Sequence, residues 1–156
     1  MPSKTALMGG SNGGLTVLVA MEQFPGLFGA ILSQCPLANM LTYHTVTVGA
    51  SWMSEYGNPD VPGDFEFISK YSPVQNVKPG VKYPALLLST STKDDRVHPY
   101  HARIMLVKLF EGGHKETSFM FEDTEGGHSR ETDSMRLAWC TAMEYEFLWF
   151  HTNRNK

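Results

Sequence analysis

The chain has 156 residues, 42% of them hydrophobic and 19% charged, with a formal net charge of −3. That balance belongs to a folded globular domain long enough to bury a sizeable core. Lys and Arg are scattered, and no apolar run reaches the roughly 18 residues of a membrane span, so neither nucleic acid nor a bilayer is an expected partner.

The opening, Met1-Pro2-Ser3-Lys4, lacks the apolar core of a signal peptide, which suits a cytoplasmic location. A short apolar run, Ala6 to Met8 within a strand near 4–8, leads into Gly9-Gly10-Ser11-Asn12-Gly13-Gly14. A helix-compatible stretch from Leu15 to Gln23 follows. Strand, serine-bearing turn and helix make the layout of a nucleophile elbow, and Gly9-x-Ser11-x-Gly13 fits G-x-S-x-G. A side chain at either flanking glycine is expected to collide with the neighbouring strand or helix. Taken alone, the same residues also fit a phosphate-binding loop or a turn with an idle serine.

Phe24-Pro25-Gly26 breaks the helix, and Leu27 to Ser33 reads as a buried parallel strand. From Cys35 to about Val81 the periodicity fails, with short helices expected near 39–46 and 64–70. Tyr43, Trp52, Tyr56, Phe65, Phe67 and Tyr71 lie in this stretch, either as the wall of an apolar pocket or as core filling. Tyr83 to Thr90 is the clearest strand and opens into the polar loop Ser91 to Val97. Pro99 begins a helix to about Glu111, with Ile104, Val107, Leu109 and Phe110 as its expected buried side. Ser118 to Glu122 is the last strand, followed by a loop ending in Gly126-Gly127-His128. A closing helix from about Glu131 to Phe150 is expected to bury Met135, Leu137, Ala138, Met143, Phe147 and Leu148. Alternating strands and helices give an α/β fold with a mainly parallel sheet. Cys35 and Cys140 read as buried thiols in a reducing compartment, and no metal-binding motif such as C-x-x-C or H-E-x-x-H occurs.

Ser11, Asp94 and His128 each follow the C-terminal end of an expected parallel strand, where open sheets gather their functional groups. Their order, Ser-Asp-His, is that of α/β-hydrolases. A serine hydroxyl needs a base to take its proton, imidazole does so near neutral pH, and a carboxylate fixes the imidazole tautomer. Separately, His128 could be a surface histidine and Asp94 a helix cap. His44, His98, His101, His114 and His151 are read as ordinary ones.

Several blocks together resemble the catalytic domain of the prolyl oligopeptidase family. They are Gly9 to Gly14, Gly49 to Gly57, Tyr71-Ser72-Pro73 with Asn76, Tyr83-Pro84, Asp94-Asp95-Arg96-Val97 with Pro99, and Gly127-His128. The match is collinear over nearly the whole chain. The resemblance implies a serine peptidase cleaving after proline in short peptides, with no cofactor and no metal. It implies Ser11 as nucleophile, Asp94 as orienter, His128 as base and the backbone N–H of Asn12 as an oxyanion donor. It also implies that Trp52 stacks on the substrate proline, that Tyr56 and Val97 line the same pocket, and that Arg96 binds a peptide carbonyl. Two positions depart from the family pattern: Ser129-Arg130 follows the histidine, and Asn39 replaces an acidic residue. Family members precede this region with a β-propeller and the first hydrolase strands. On that reading residues 1–156 form the C-terminal half of an α/β-hydrolase domain, without the tyrosine that gives the second oxyanion donor. The elbow strand then becomes an edge, open to an N-terminal partner segment or to self-association. An esterase on the same fold and an inactive module that pairs with another chain are the competing readings.

Overall fold

Residues Ala6–Gly10 form strand β1, and the chain turns at Ser11 into helix α1, Asn12–Gln23. The computed structural model describes residues 1–128 and 133–153. β1 runs past Met8 through Gly9 and Gly10, which pair in register with Ser33 and Gln34 of β2, Ala30–Gln34. The second strand is correspondingly shorter than its apolar run, because Pro25–Leu27 forms a 3-10 turn that takes Leu27 out of it. Three short helices follow, α2 (Met53–Tyr56), α3 (Pro62–Ser69) and α4 (Pro73–Asn76), the last two opened by proline at the first helical turn. Strand β3 is Ala85–Ser91, helix α5 Tyr100–Glu111, strand β4 Ser118–Asp123 and helix α6 Ser134–Asn153.

The four strands are parallel and lie in the order β1-β2-β3-β4. Successive crossovers therefore step across the sheet in one direction, and right-handed connections deliver α1 and α5 to the same face. There Val17, Leu18 and Met21 pack with Ala102, Met105 and Leu109 over Ile31, Leu86 and Leu88. Helix α6 packs against β2 and β3. β3 is buried along its whole length, through the apolar run Ala85 to Leu88 and on through the polar Ser89, Thr90 and Ser91. β1 is an edge among the described strands, alternating exposed and half-buried residues, with Met8 48% exposed.

A second core lies beyond the C-terminal ends of the strands. Leu15, Leu37, Met40, Tyr43, Ile68 and Val97 are buried together, with Trp52, Tyr56 and Tyr71 half-buried against them. The irregular segment is thus divided: Tyr43 is core, while Phe65 and Phe67 stay largely exposed. The expected helix near 39–46 is only a 3-10 turn, Tyr43–Thr45.

Two helix faces differ from their expected ones. In α5 the buried residues are His101, Ala102, Met105 and Leu109, whereas Val107 and Phe110 are largely exposed and Ile104 is half-buried. The inward stripe is rotated because His101 is drawn in by backbone donors. In α6 only Cys140 and Glu144 are buried, and Met135 is 79% exposed. Its apolar residues surround the helix instead of forming one stripe, and Glu144 faces inward to accept a hydrogen bond from Gln34 Nε2 at 2.7 Å. Ser129, Arg130 and Glu131 lie outside the described residues. Among the described residues no helix is long and apolar enough to cross a membrane. Cys35 is half-buried and Cys140 buried, with no disulfide between them.

Candidate active site

The sharpness of the β1–α1 turn falls on Ser11, whose φ of 57° lies in the left-handed region. Holding a serine there costs on the order of 1 kcal/mol or more, and the surrounding structure must enforce it. The Ser11 N–H donates to Gln34 O at 2.8 Å, and Ser11 O accepts from Leu15 N at 3.2 Å. A Cβ on Gly9 would lie 2.3 Å from Gly13 O, and one on Gly14 would lie 2.9 Å from Pro36 Cα. Gly13, expected to be the second crowded position, has open space where its Cβ would be. The glycine that sterics demand after the serine is therefore Gly14, because α1 passes there against the chain leaving β2.

Asp94 sits in the loop after β3, with its side chain fully enclosed. Its Oδ1 accepts hydrogen bonds from the backbone N–H groups of Arg96 at 3.0 Å and Val97 at 2.8 Å. The loop after β4 is tied to it: the Ser91 hydroxyl donates to Gly126 O, and Lys93 Nζ reaches Glu125 at 2.9 Å. These links bring His128 over the carboxylate. His128 Nδ1 lies 2.8 Å from Asp94 Oδ2 and 3.0 Å from Oδ1, and His128 Nε2 lies 3.2 Å from Ser11 Oγ. An Nδ1 facing a carboxylate on both oxygens carries the ring proton, which leaves Nε2 with its lone pair toward the serine.

Asn12, at the exposed start of α1, accepts at its Oδ1 a hydrogen bond from the Tyr56 hydroxyl at 2.9 Å. Burial, followed by Glu55, pushes the Tyr56 phenol up to about 12, so the hydroxyl keeps its proton and stays a donor. Trp52 and Tyr56 share the half-buried rim of the second core. Val97, expected to line the same pocket, is only 2% exposed and is buried in the second core. Arg96 is exposed, and its carbonyl accepts from the Thr47 hydroxyl at 2.6 Å.

Two residues to which the sequence gives no positioning role hold the chain that leaves β2. His101, taken as ordinary, is 1% exposed, and its Nδ1 accepts from the N–H groups of Ala38 at 3.3 Å and Asn39 at 3.1 Å. Burial, with His98 adding to it, pushes His101 down to about 4 and keeps the ring a neutral acceptor. His114 is also buried. Asn39 donates to the Tyr100 hydroxyl at 2.6 Å and accepts from Gln75 Nε2 at 3.0 Å. An aspartate there would accept from the Tyr100 hydroxyl instead, since a phenol can donate as well as accept. No periodicity marks these residues; their signal lies in the fold.

The model of the prolyl oligopeptidase family matches residues 1–155. An uncharacterized peptidase of Rickettsia prowazekii is 43% identical over 132 residues, covering 85% of this chain and 18% of its own length. A prolyl oligopeptidase of Omphalotus olearius is 37% identical over 149 residues, covering 93% of this chain and 20% of its own. Among solved structures, a prolyl endopeptidase superposes with a TM-score of 0.92 at 37% identity, over 98% of this chain and 23% of that one. Prolyl oligopeptidase B of Galerina marginata does so at 0.89 and 30% identity, over 97% of this chain and 22% of that one. The chain thus spans about a fifth of the length of the relatives it matches. Its fold is theirs in that portion, a parallel sheet flanked by helices as in an α/β-hydrolase domain. With the family model extending over all but the last residue, the chain belongs to the prolyl oligopeptidase family.

Proposed function

We propose that this chain carries the catalytic centre of a serine peptidase that hydrolyses peptide bonds on the carboxyl side of proline. One observation carries the reading: His128 is held between enclosed Asp94 and the hydroxyl of Ser11, 3.2 Å away on a strained turn. In the proposed reaction Nε2 takes the Ser11 proton as Oγ attacks the substrate carbonyl. The imidazolium that forms is stabilised by Asp94, which keeps its own backbone donors. His128 then protonates the leaving amine, and water resolves the acyl-enzyme by the same route. The Asn12 N–H, free at the start of α1, is the proposed donor to the oxyanion. Three substrate-bound structures of the Galerina enzyme carry alanine in place of a serine, an aspartate and a histidine, in that chain order. The order supports the assignment of roles here.

Proline offers no side-chain hydrogen-bonding group, so a flat apolar receptor suits it. Trp52 and Tyr56 supply that surface at the rim of the second core, with Arg96 placed outside to bind a peptide carbonyl. The test is Trp52→Ala with paired proline-amide and alanine-amide substrates. Loss of stacking worth about 0.5–1.5 kcal/mol lowers kcat/KM for proline by a few- to tenfold, beyond the area lost. An unchanged preference for proline over alanine would remove Trp52 from the pocket.

A further inference from the structure

The sequence presents Cys35 as a buried thiol, whereas the fold leaves it half-buried and sets it beside the acid and base of the candidate site. It follows β2 directly, its φ of 42° turns the chain in the left-handed region, and its N–H donates to Ser89 O at 2.7 Å. One ligand atom each from Cys35, Asp94 and His128 can be chosen so that all three lie within 4.8 Å of one another. We propose that these three side chains form a binding site for a borderline-soft divalent cation of the zinc class, and that occupancy silences Ser11.

The donor set selects the ion. Thiolate, imidazole and carboxylate together suit zinc, cobalt and cadmium, whereas calcium and magnesium favour oxygen alone. Tetrahedral bonds of about 2.0–2.3 Å place ligand atoms about 3.5 Å apart, so closure from 4.8 Å needs movements of about 1.3 Å or less. Side-chain rotation supplies that. Three protein ligands leave the fourth position to water. Cys140 lines the same small cavity as Cys35, but it stands outside the ligand set.

The step balances in protons. Cys35 releases its thiol proton to solvent on binding the cation. The nitrogen of His128 that faces Asp94 is Nδ1, so the cation takes the place of the Nδ1 proton, which moves to Nε2. A neutral ring protonated at Nε2 has no lone pair for Ser11, and the nucleophile loses its base. No electron changes hands. The silencing rests on the triad reading above, whereas the binding does not.

Cobalt(II) is the probe for binding, read by its thiolate charge-transfer band and its tetrahedral visible bands in the full chain. Both are expected in the wild type and in Cys140→Ser, and neither in Cys35→Ser or Cys35→Ala. In parallel, zinc is expected to slow fluorophosphonate labelling of Ser11 by more than about tenfold, with Cys35→Ala unslowed relative to its own metal-free rate. No thiolate band in the wild type, a band that survives loss of Cys35, or equal slowing by zinc in both proteins overturns the site. Should Ser11 take no label without metal, the triad reading fails, and the cobalt spectrum still decides the site.

Discussion

Helix α1 has a buried carboxylate near each end, and the two are kept in opposite ways. Near its N-terminus, Asp94 is met by the N–H groups of Arg96 and Val97 and by the ring of His128. At its C-terminal end Glu22 is only 8% exposed, and its Oε1 has no hydrogen-bond partner among the described residues. Burial pushes Glu22 up to about 9, and Lys78 pulls it back only in part. One carboxylate lies where donors converge and can serve chemistry. The other is a neutral acid near pH 7 and a cost to stability as the solvent becomes alkaline.

The largest expected effect comes from reversing the donor pattern at the first end. Asp94→Asn keeps the shape but lets an amide N–H face His128, favouring the tautomer that carries its proton on Nε2. Labelling of Ser11 and amide hydrolysis should fall roughly ten-thousandfold with little change in unfolding midpoint. A loss of less than tenfold would mean that Asp94 does not orient His128.

The second end is tested through stability. Glu22 has a folded value of about 9, above its ordinary 4.5, so its contribution is present below about 4.5 and is lost as pH rises toward 9. At pH 7 the accumulated loss is roughly 3 kcal/mol. His101 works in the other direction. Its folded value of about 4 lies below 6.5, so its contribution holds above about 6.5 and is lost as pH falls toward 4. Glu22→Gln should therefore gain roughly 2–3 kcal/mol at pH 7 in urea unfolding and remove the decline between pH 7 and 8.5. A wild type that grows more stable across that interval would break the comparison.

The smallest effect sharpens the first end. Tyr56→Phe removes one exposed hydrogen bond to Asn12 and should cost at most about 1 kcal/mol of stability, with less than about tenfold change in labelling. A larger loss would show that the Asn12 side chain, and not the turn itself, sets the elbow.

The elbow and the four strands were legible in the sequence because each has a local cause. Gly9, Ser11 and the apolar runs specify their conformations through sterics and burial that neighbours in sequence supply. Even there the pattern misled at Gly13, since the crowding falls on Gly14, against a segment more than twenty residues away. Ser11, Asp94 and His128 could be placed at strand ends, but their separations follow from loop ties such as Ser91 to Gly126. Those ties have no periodicity. The inward turn of His101 and the burial of Glu144 were invisible for the same reason: the backbone and side-chain partners that justify them lie on other elements. Cys35 gave no signal, because its neighbours Asp94 and His128 are brought to it only by the sheet.

The most direct test of the central proposal is the site of reaction with a fluorophosphonate probe, located by peptide mapping in the wild type, Ser11→Ala and His128→Ala. The expected result is a single adduct on Ser11, absent in the first variant and strongly reduced in the second. An adduct on another residue, or labelling of Ser11 that is indifferent to His128, would contradict it.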